Sequence, residues 1–251
     1  MKAANLGDID AAYLLGVEYE ISYRLKKDLA LSIKLYQFAA DNGHILAKYR
    51  LGTFYTRGLV VKSNQNEACN LYEESLTYPG SAYNLATCYQ NGEGRKKNLR
   101  LAHKYFKVAA NNKHLISQAS VGMDYEYARG VSQNYLKARS WYKKAIQNSY
   151  KSENDYGLEF NSKMPKWKNI AKFNLSQMLY SGQGGKVDKR EGFKLLREAA
   201  SSGFSVAQNS LGVVYTTGNG VKKDNHKAKL WFEKAAKQGN IDAKNNLKKL
   251  F

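Results

Sequence analysis

Four histidines, two cysteines and one glycine-rich stretch are the residues whose types could carry chemistry in this chain. His44, His103, His114 and His226 stand far apart. None makes the H-x-x-H or H-E-x-x-H spacing that turns two imidazoles of one helix toward a metal. Gly182-Gln183-Gly184-Gly185 would suit a phosphate, yet neither a P-loop nor a nucleophile elbow is present. The chain holds 21 Asp+Glu, and no two of them stand out as an acid–base pair. Cys69 and Cys88 are too few for a disulfide framework and read as buried, reduced thiols in a reducing compartment. The expectation is a protein without catalytic residues, metal or cofactor, which acts through its surface.

That surface is basic. The 251 residues hold 40 Lys+Arg, for a formal net charge of +19. Residues 1–94 carry 9 basic and 10 acidic side chains, whereas residues 95–251 carry 31 and 11. The chain is 43% hydrophobic, enough for a packed core. Its apolar runs fall far short of the roughly 18 residues a membrane span needs. The first ten residues lack the apolar stretch of a secretory signal, so a cytoplasmic location is expected.

The elements that position these side chains come from a repeat. Small residues at Gly16, Gly52, Ala86, Gly122, Ser176 and Gly212 each follow an aliphatic residue and precede, by three positions, Tyr19, Tyr55, Tyr89, Tyr125, Leu179 and Tyr215. The intervals are 36, 34, 36, 54 and 36, the long one being a period plus 18 residues. Twelve after each anchor stands Asp28, Asn64, Asn98, Asn134, Asp188 or Asp224, which reads as a helix N-cap. Apolar positions four apart before the cap form one helical stripe, helix A. An aromatic or leucine pair and an alanine pair after it form the stripe of helix B. Glycines six and eight after the anchor (Gly92 and Gly94, Gly182 and Gly184, Gly218 and Gly220) end helix A, and Gly43, Gly203 and Gly239 end helix B. One helix pair cannot bury its own stripe, so the pairs stack.

These columns resemble the Sel1-like repeat, a relative of the tetratricopeptide repeat, most fully over residues 207–243. The resemblance implies an all-α, right-handed α/α superhelical solenoid of about six repeats, and a bacterial adaptor-type protein without enzymatic activity. As one domain, 1–251, it divides into a stub at 1–10, repeats at about 11–46, 47–80, 81–116, 117–170, 171–206 and 207–242, and a capping helix at 243–251. Ala3, Ala4 and Gly7 match the end of a helix B, so the chain is expected to begin inside a repeat. Lys248 in place of the small anchor suits a C-terminal cap. Repeat 1 lacks both turn glycines, and a longer or helical turn is expected there. Some secreted members carry a disulfide in each repeat, and neither cysteine here matches that pattern.

The resemblance also implies a concave wall of A helices. Tyr13, Tyr49, Tyr83 and Phe173 form an aromatic ladder on it, with Met123, Gln177 and Tyr180 beside it. The ladder reads equally as a grip for an extended segment or as packing between neighbouring A helices. The insertion at 149–168 reads as a loop on the binding face, with Tyr156, Phe160 and Trp167 as its contact residues, and its apolar residues read equally as a cover for the stack. Lys143, Lys144, Lys166, Lys168 and Lys172 would steer an acidic protein partner toward it. An immunity protein that blocks a toxin is one version of this reading. Nucleic acid or another anionic surface is the alternative partner. The excess of Lys over Arg, and aromatics held in packing columns, weigh against base readout.

Overall fold

The computed structural model describes residues 8–21, 24–149 and 158–250, with the side chains of 158–165 outside that description. The described residues form thirteen α-helices and no strand. They are α1 (Ile9–Ile21), α2 (Leu29–Asp41), α3 (Ile45–Arg57), α4 (Gln65–Glu73), α5 (Pro79–Asn91), α6 (Leu99–Asn111) and α7 (Leu115–Tyr127). They continue as α8 (Tyr135–Gln147), α9 (Leu158–Ser181), α10 (Lys189–Ser201), α11 (Ser205–Thr217), α12 (Asn225–Lys237) and α13 (Ile241–Leu250). Odd-numbered helices up to α11 are the A helices, and even-numbered ones are the B helices. Of the stub at 1–10, residues 1–7 lie outside the described residues, and α1 begins within the rest.

All six predicted caps form. The side-chain oxygens of Asp28, Asn64, Asn98, Asn134, Asp188 and Asp224 each accept from the backbone N–H three residues on. Their own N–H groups donate back to the carbonyls of Tyr19, Tyr55, Tyr89, Tyr125, Leu179 and Tyr215, at 2.8–3.1 Å. One bond thus closes every A-to-B turn and satisfies a helix-end carbonyl that would otherwise lack a partner. It closes the first turn too, so the absence of glycine there leaves the spacing unchanged. Residues 22–23 of that turn lie outside the described residues.

The small anchors have a steric cause. A Cβ on Gly52, Gly122 or Gly212 would sit 2.6 Å from the ring of Tyr72, Tyr142 or Phe232 on the paired B helix. The ring lies flat where a side chain would be, and the three rings are almost fully buried. The glycines eight after the anchor do more than turn the chain. In Gly94, Gly130 and Gly184 an added Cβ would come within 2.0–2.5 Å of the carbonyl oxygens of Gln65, Leu99 and Tyr135. Those carbonyls open the preceding B helix, so each such glycine is a point where one repeat touches the last. Val60 holds the equivalent place in repeat 2, at a φ of 64°.

The chain divides into two compact units. The first comprises Met1–Val121, Arg129–Ser132 and Tyr150–Leu158, and the second the remainder. In the first, Ala12, Tyr36, Leu51 and Phe54 centre one buried cluster. In the second, Leu196, Leu211 and Val214 form one cluster, and Phe232 with Ala228, Ala235 and Ala243 another.

Two expectations are corrected. Cys69 on α4 and Cys88 on α5 are not free thiols: they form a disulfide, with Cα atoms 6.5 Å apart. The stacking of α5 on α4 brings two residues nineteen positions apart to bonding distance. The insertion is also not wholly a loop. From Leu158 onward it is helical and continuous with helix A of repeat 5, making α9 24 residues long against 13 in α7 or α11.

Candidate functional site

The helix A wall is built from rings that close on one another. Tyr13 stacks on His44 with ring centroids 4.4 Å apart, Tyr49 meets Tyr78 at 4.7 Å, Tyr83 meets His114 at 4.9 Å, and Phe173 meets Phe204 at 5.8 Å. The second member of each pair stands at or just before the start of the next A helix. The ladder is therefore a set of joints between repeats, each contributing about 0.5–1.5 kcal/mol beyond its buried area. Tyr13 is only 5% exposed, while Tyr49, Tyr83 and Phe173 are half-buried.

A second, polar ladder runs beside the rings. Tyr36 Oη donates to Glu20 Oε2 at 2.7 Å, and Arg50 of the next repeat lies 3.7 Å from Glu20 Oε1. Tyr142 Oη donates to Glu126 Oε2 at 2.5 Å and accepts from Asn174 Nδ2 at 3.1 Å. Tyr72 Oη pairs with Thr56 Oγ1 at 2.9 Å. Burial first, then the adjacent carboxylates, pushes the Tyr36 and Tyr142 phenols far above their usual range. Burial pushes Tyr72 up to about 12. These phenols stay protonated, and those of Tyr36 and Tyr142 act as donors to their carboxylates.

Two of the histidines cap helices. His44 Nδ1 accepts from the Ala47 N–H at the start of α3, and His114 Nδ1 does the same for Ser117 at the start of α7. Burial lowers the pKa of His44 and takes that of His114 down to about 3. A ring that accepts at Nδ1 must be neutral there. The folded pKa of His114 lies below the ordinary value near 6.5, so its contribution is fully present above pH 6.5 and is lost as pH falls toward 3. Melting followed between pH 7 and pH 4 is expected to show this slope. His114→Asn keeps an acceptor, as Asn240 does for Ala243 in its own column, and removes the titrating ring. An unchanged slope in that variant would exclude His114 as the source.

The remaining predicted residues fall on three helices. Met123 is half-buried on α7, and on α9 Gln177 is exposed and Tyr180 half-buried. Burial raises the Tyr180 phenol to about 12. Trp167 is half-buried at the middle of α9. Tyr156 lies outside the described residues, as does the side chain of Phe160. Lys143 and Lys144 are exposed on α8, the Lys144 ammonium sitting 4.1 Å over the Trp141 ring. Lys166 is exposed and Lys168 half-buried. Lys172 pairs with Glu198 at 2.8 Å, and its charge is locally answered. The five lysines are spread over α8 and α9.

The column holding His44, Tyr78, His114 and Phe204 was not among the predicted positions. Its signal was present as a fixed offset of 29–31 residues from each ladder ring. Among the described residues no group of three or more His, Cys, Asp or Glu side chains could hold a metal. No described helix is long and apolar enough to cross a membrane.

Helix pairs joined by periodic ring and glycine contacts define a class, the all-α helical-repeat proteins that work by presenting surface. The Sel1 repeat pattern matches residues 9–44, 45–76, 79–114, 115–150, 169–204 and 205–240. The chain belongs to the Sel1-repeat family, with the insertion falling between its fourth and fifth repeats. It is 27% identical over 88% of its length to chitin synthase regulatory factor 3 of Schizosaccharomyces pombe and spans 27% of that protein. Among solved structures it resembles c5321, a protective antigen of uropathogenic Escherichia coli with an SLR fold. The TM-score is 0.63 at 28% identity, covering 98% of this chain and 57% of that one. It also resembles a Sel1 repeat protein from Oxalobacter formigenes, with a TM-score of 0.71 at 21% identity over 91% of this chain and 85% of that one. Sel1-repeat proteins are in general protein-interaction scaffolds and regulators, not enzymes.

Proposed function

We propose that this chain is a non-catalytic scaffold that holds an acidic protein partner, its basic second unit selecting the partner by charge. The observation that carries this reading is the charge of that unit, which holds 22 Lys+Arg against 9 Asp+Glu, a net +13. The first unit, with 18 against 12, carries +6. Four of the nine acidic groups of the second unit are engaged within it: Glu198 with Lys172, Glu191 with Lys194, Asp224 with Lys227, and Glu126 with the Tyr142 phenol. The unit keeps a net positive charge, and the field of such a charge speeds encounter with a partner of opposite sign. The regulator name of the yeast relative supports a scaffold role. The disulfide favours a compartment where such bonds persist over the reducing cytoplasm expected from cysteine number.

Affinity capture with the full chain tests the reading, run with and without nuclease. A partner retained after nuclease treatment is expected. Loss of all capture on nuclease treatment would transfer the function to nucleic acid. Deleting residues 153–165 removes the first eight residues of α9 and is expected to leave the other helices intact and weaken capture; unchanged capture would remove the insertion from the binding surface.

A further inference from the structure

The cations of the second unit are not scattered. Gly184, in the turn of repeat 5, packs against the Tyr135 carbonyl that opens α8, where an added Cβ would lie 2.5 Å away. Gly220, in the turn of repeat 6, packs against Lys189 at the start of α10, where an added Cβ would lie 2.9 Å from the lysine Cβ. Arg139 Nη2 donates to the Lys186 carbonyl at 3.2 Å, tying α8 to the same turn. Two turns and three B-helix starts therefore alternate along one edge. Lys137, Lys186, Lys189, Arg190, Lys222 and Lys223 all stand on it, and all six are exposed.

The acids on this edge are already engaged. Asp188 accepts from the Glu191 N–H, and Asp224 accepts from the Lys227 N–H and pairs with its ammonium at 2.9 Å. Glu191 pairs with Lys194 at 3.5 Å. The aromatic rings nearby are covered too. Lys137 lies over Tyr125, Lys227 over Tyr215, and Phe193 sits between Tyr215 and Arg197. Each of these three rings already carries a cation. Five of the six cations are lysines, point charges on flexible stems without the fork of arginine.

We propose that this edge is a docking strip for an extended, Asp/Glu-rich protein segment. The assignment deepens the scaffold reading above and rests on it. An extended chain advances about 3.3 Å per residue, so a run of acidic side chains presents carboxylates continuously along such a row. Flexible lysines adapt to that spacing without a fixed register.

The test uses the full chain and a fluorescein-labelled twelve-residue alternating Glu–Ser peptide, read by fluorescence anisotropy. One variant carries Lys186→Glu, Lys189→Glu, Arg190→Glu, Lys222→Glu and Lys223→Glu. A second makes the same change in net charge off the strip, at the exposed Lys107, Lys237, Lys244, Lys248 and Lys249. The strip variant is expected to lose tenfold or more in affinity and the control less than threefold. Added salt is expected to weaken the wild-type complex. Circular dichroism verifies folding, and the milder Lys222→Gln/Lys223→Gln pair, expected to lose about threefold, serves if the larger variant unfolds. Equal losses in the two charge-reversed variants would reduce the effect to net charge and overturn the strip. Binding of a 20-base-pair DNA duplex at least as tight as the peptide would overturn the choice of partner. The two readings fail separately: nuclease-resistant capture undiminished in the strip variant sinks the strip alone, and nuclease-sensitive capture sinks the scaffold reading.

Discussion

Gly94→Ala is expected to destabilise the protein by about 3 kcal/mol. Two costs add. Gly94 has a φ of 67°, in the left-handed region, where an L side chain costs roughly 1–2 kcal/mol. The new methyl would also lie 2.2 Å from the Gln65 carbonyl oxygen and 2.8 Å from Cys69 Sγ. Relieving that overlap requires movement of backbone, and overpacking of this kind costs about 1–3 kcal/mol. Gly43→Ala separates the two costs, because Gly43 has a φ of 87° and nothing within 4 Å of its would-be Cβ. Thermal melts of both variants are the measurement. Equal shifts would mean that the contact between repeats 2 and 3 carries no steric demand.

Removing the Cys69–Cys88 bond, by reductant or by Cys69→Ser/Cys88→Ser, is expected to cost about 3 kcal/mol. The bond closes a loop with a sequence separation of 19, and loops of that size restrict the unfolded chain by about this amount. Melting with and without dithiothreitol reads the effect, and mass spectrometry after thiol alkylation reads the bond itself. Two alkylated cysteines in the unreduced native protein would refute the pairing. Because Gly94 approaches Cys69 Sγ, its substitution and loss of the bond should couple instead of adding.

The architecture was legible because period and chemistry agree. A cap residue, a small anchor and an aromatic stripe recur together, and each has one local cause that a single sequence displays. Asp28 and Asn64 could be read as caps because a cap needs only its own side chain and the next turn of helix. The disulfide was not legible, since it depends on how α5 lies against α4, and spacing along the chain does not set that. The ladder at Tyr13, Tyr49 and Tyr83 was visible as a column, but its partners His44, Tyr78 and His114 lie some thirty residues on, just before the next A helix. A column shows that positions are equivalent without showing what each one touches. The insertion misled for the opposite reason. It falls outside the period, and its helical half joins α9 without a turn residue to mark the seam. The docking strip required the turn contacts of Gly184 and Gly220, which place separate lysine clusters side by side.

The single covalent tie between α4 and α5 has a mechanical consequence. Under tension applied at the two ends, stacked helix pairs give way one after another and release their length in similar steps. The 18 residues between the bonded cysteines cannot pay out, which withholds roughly 65 Å of contour at about 3.6 Å per residue. The force–extension trace of the oxidised molecule would show one short step, restored to full length by a reducing agent.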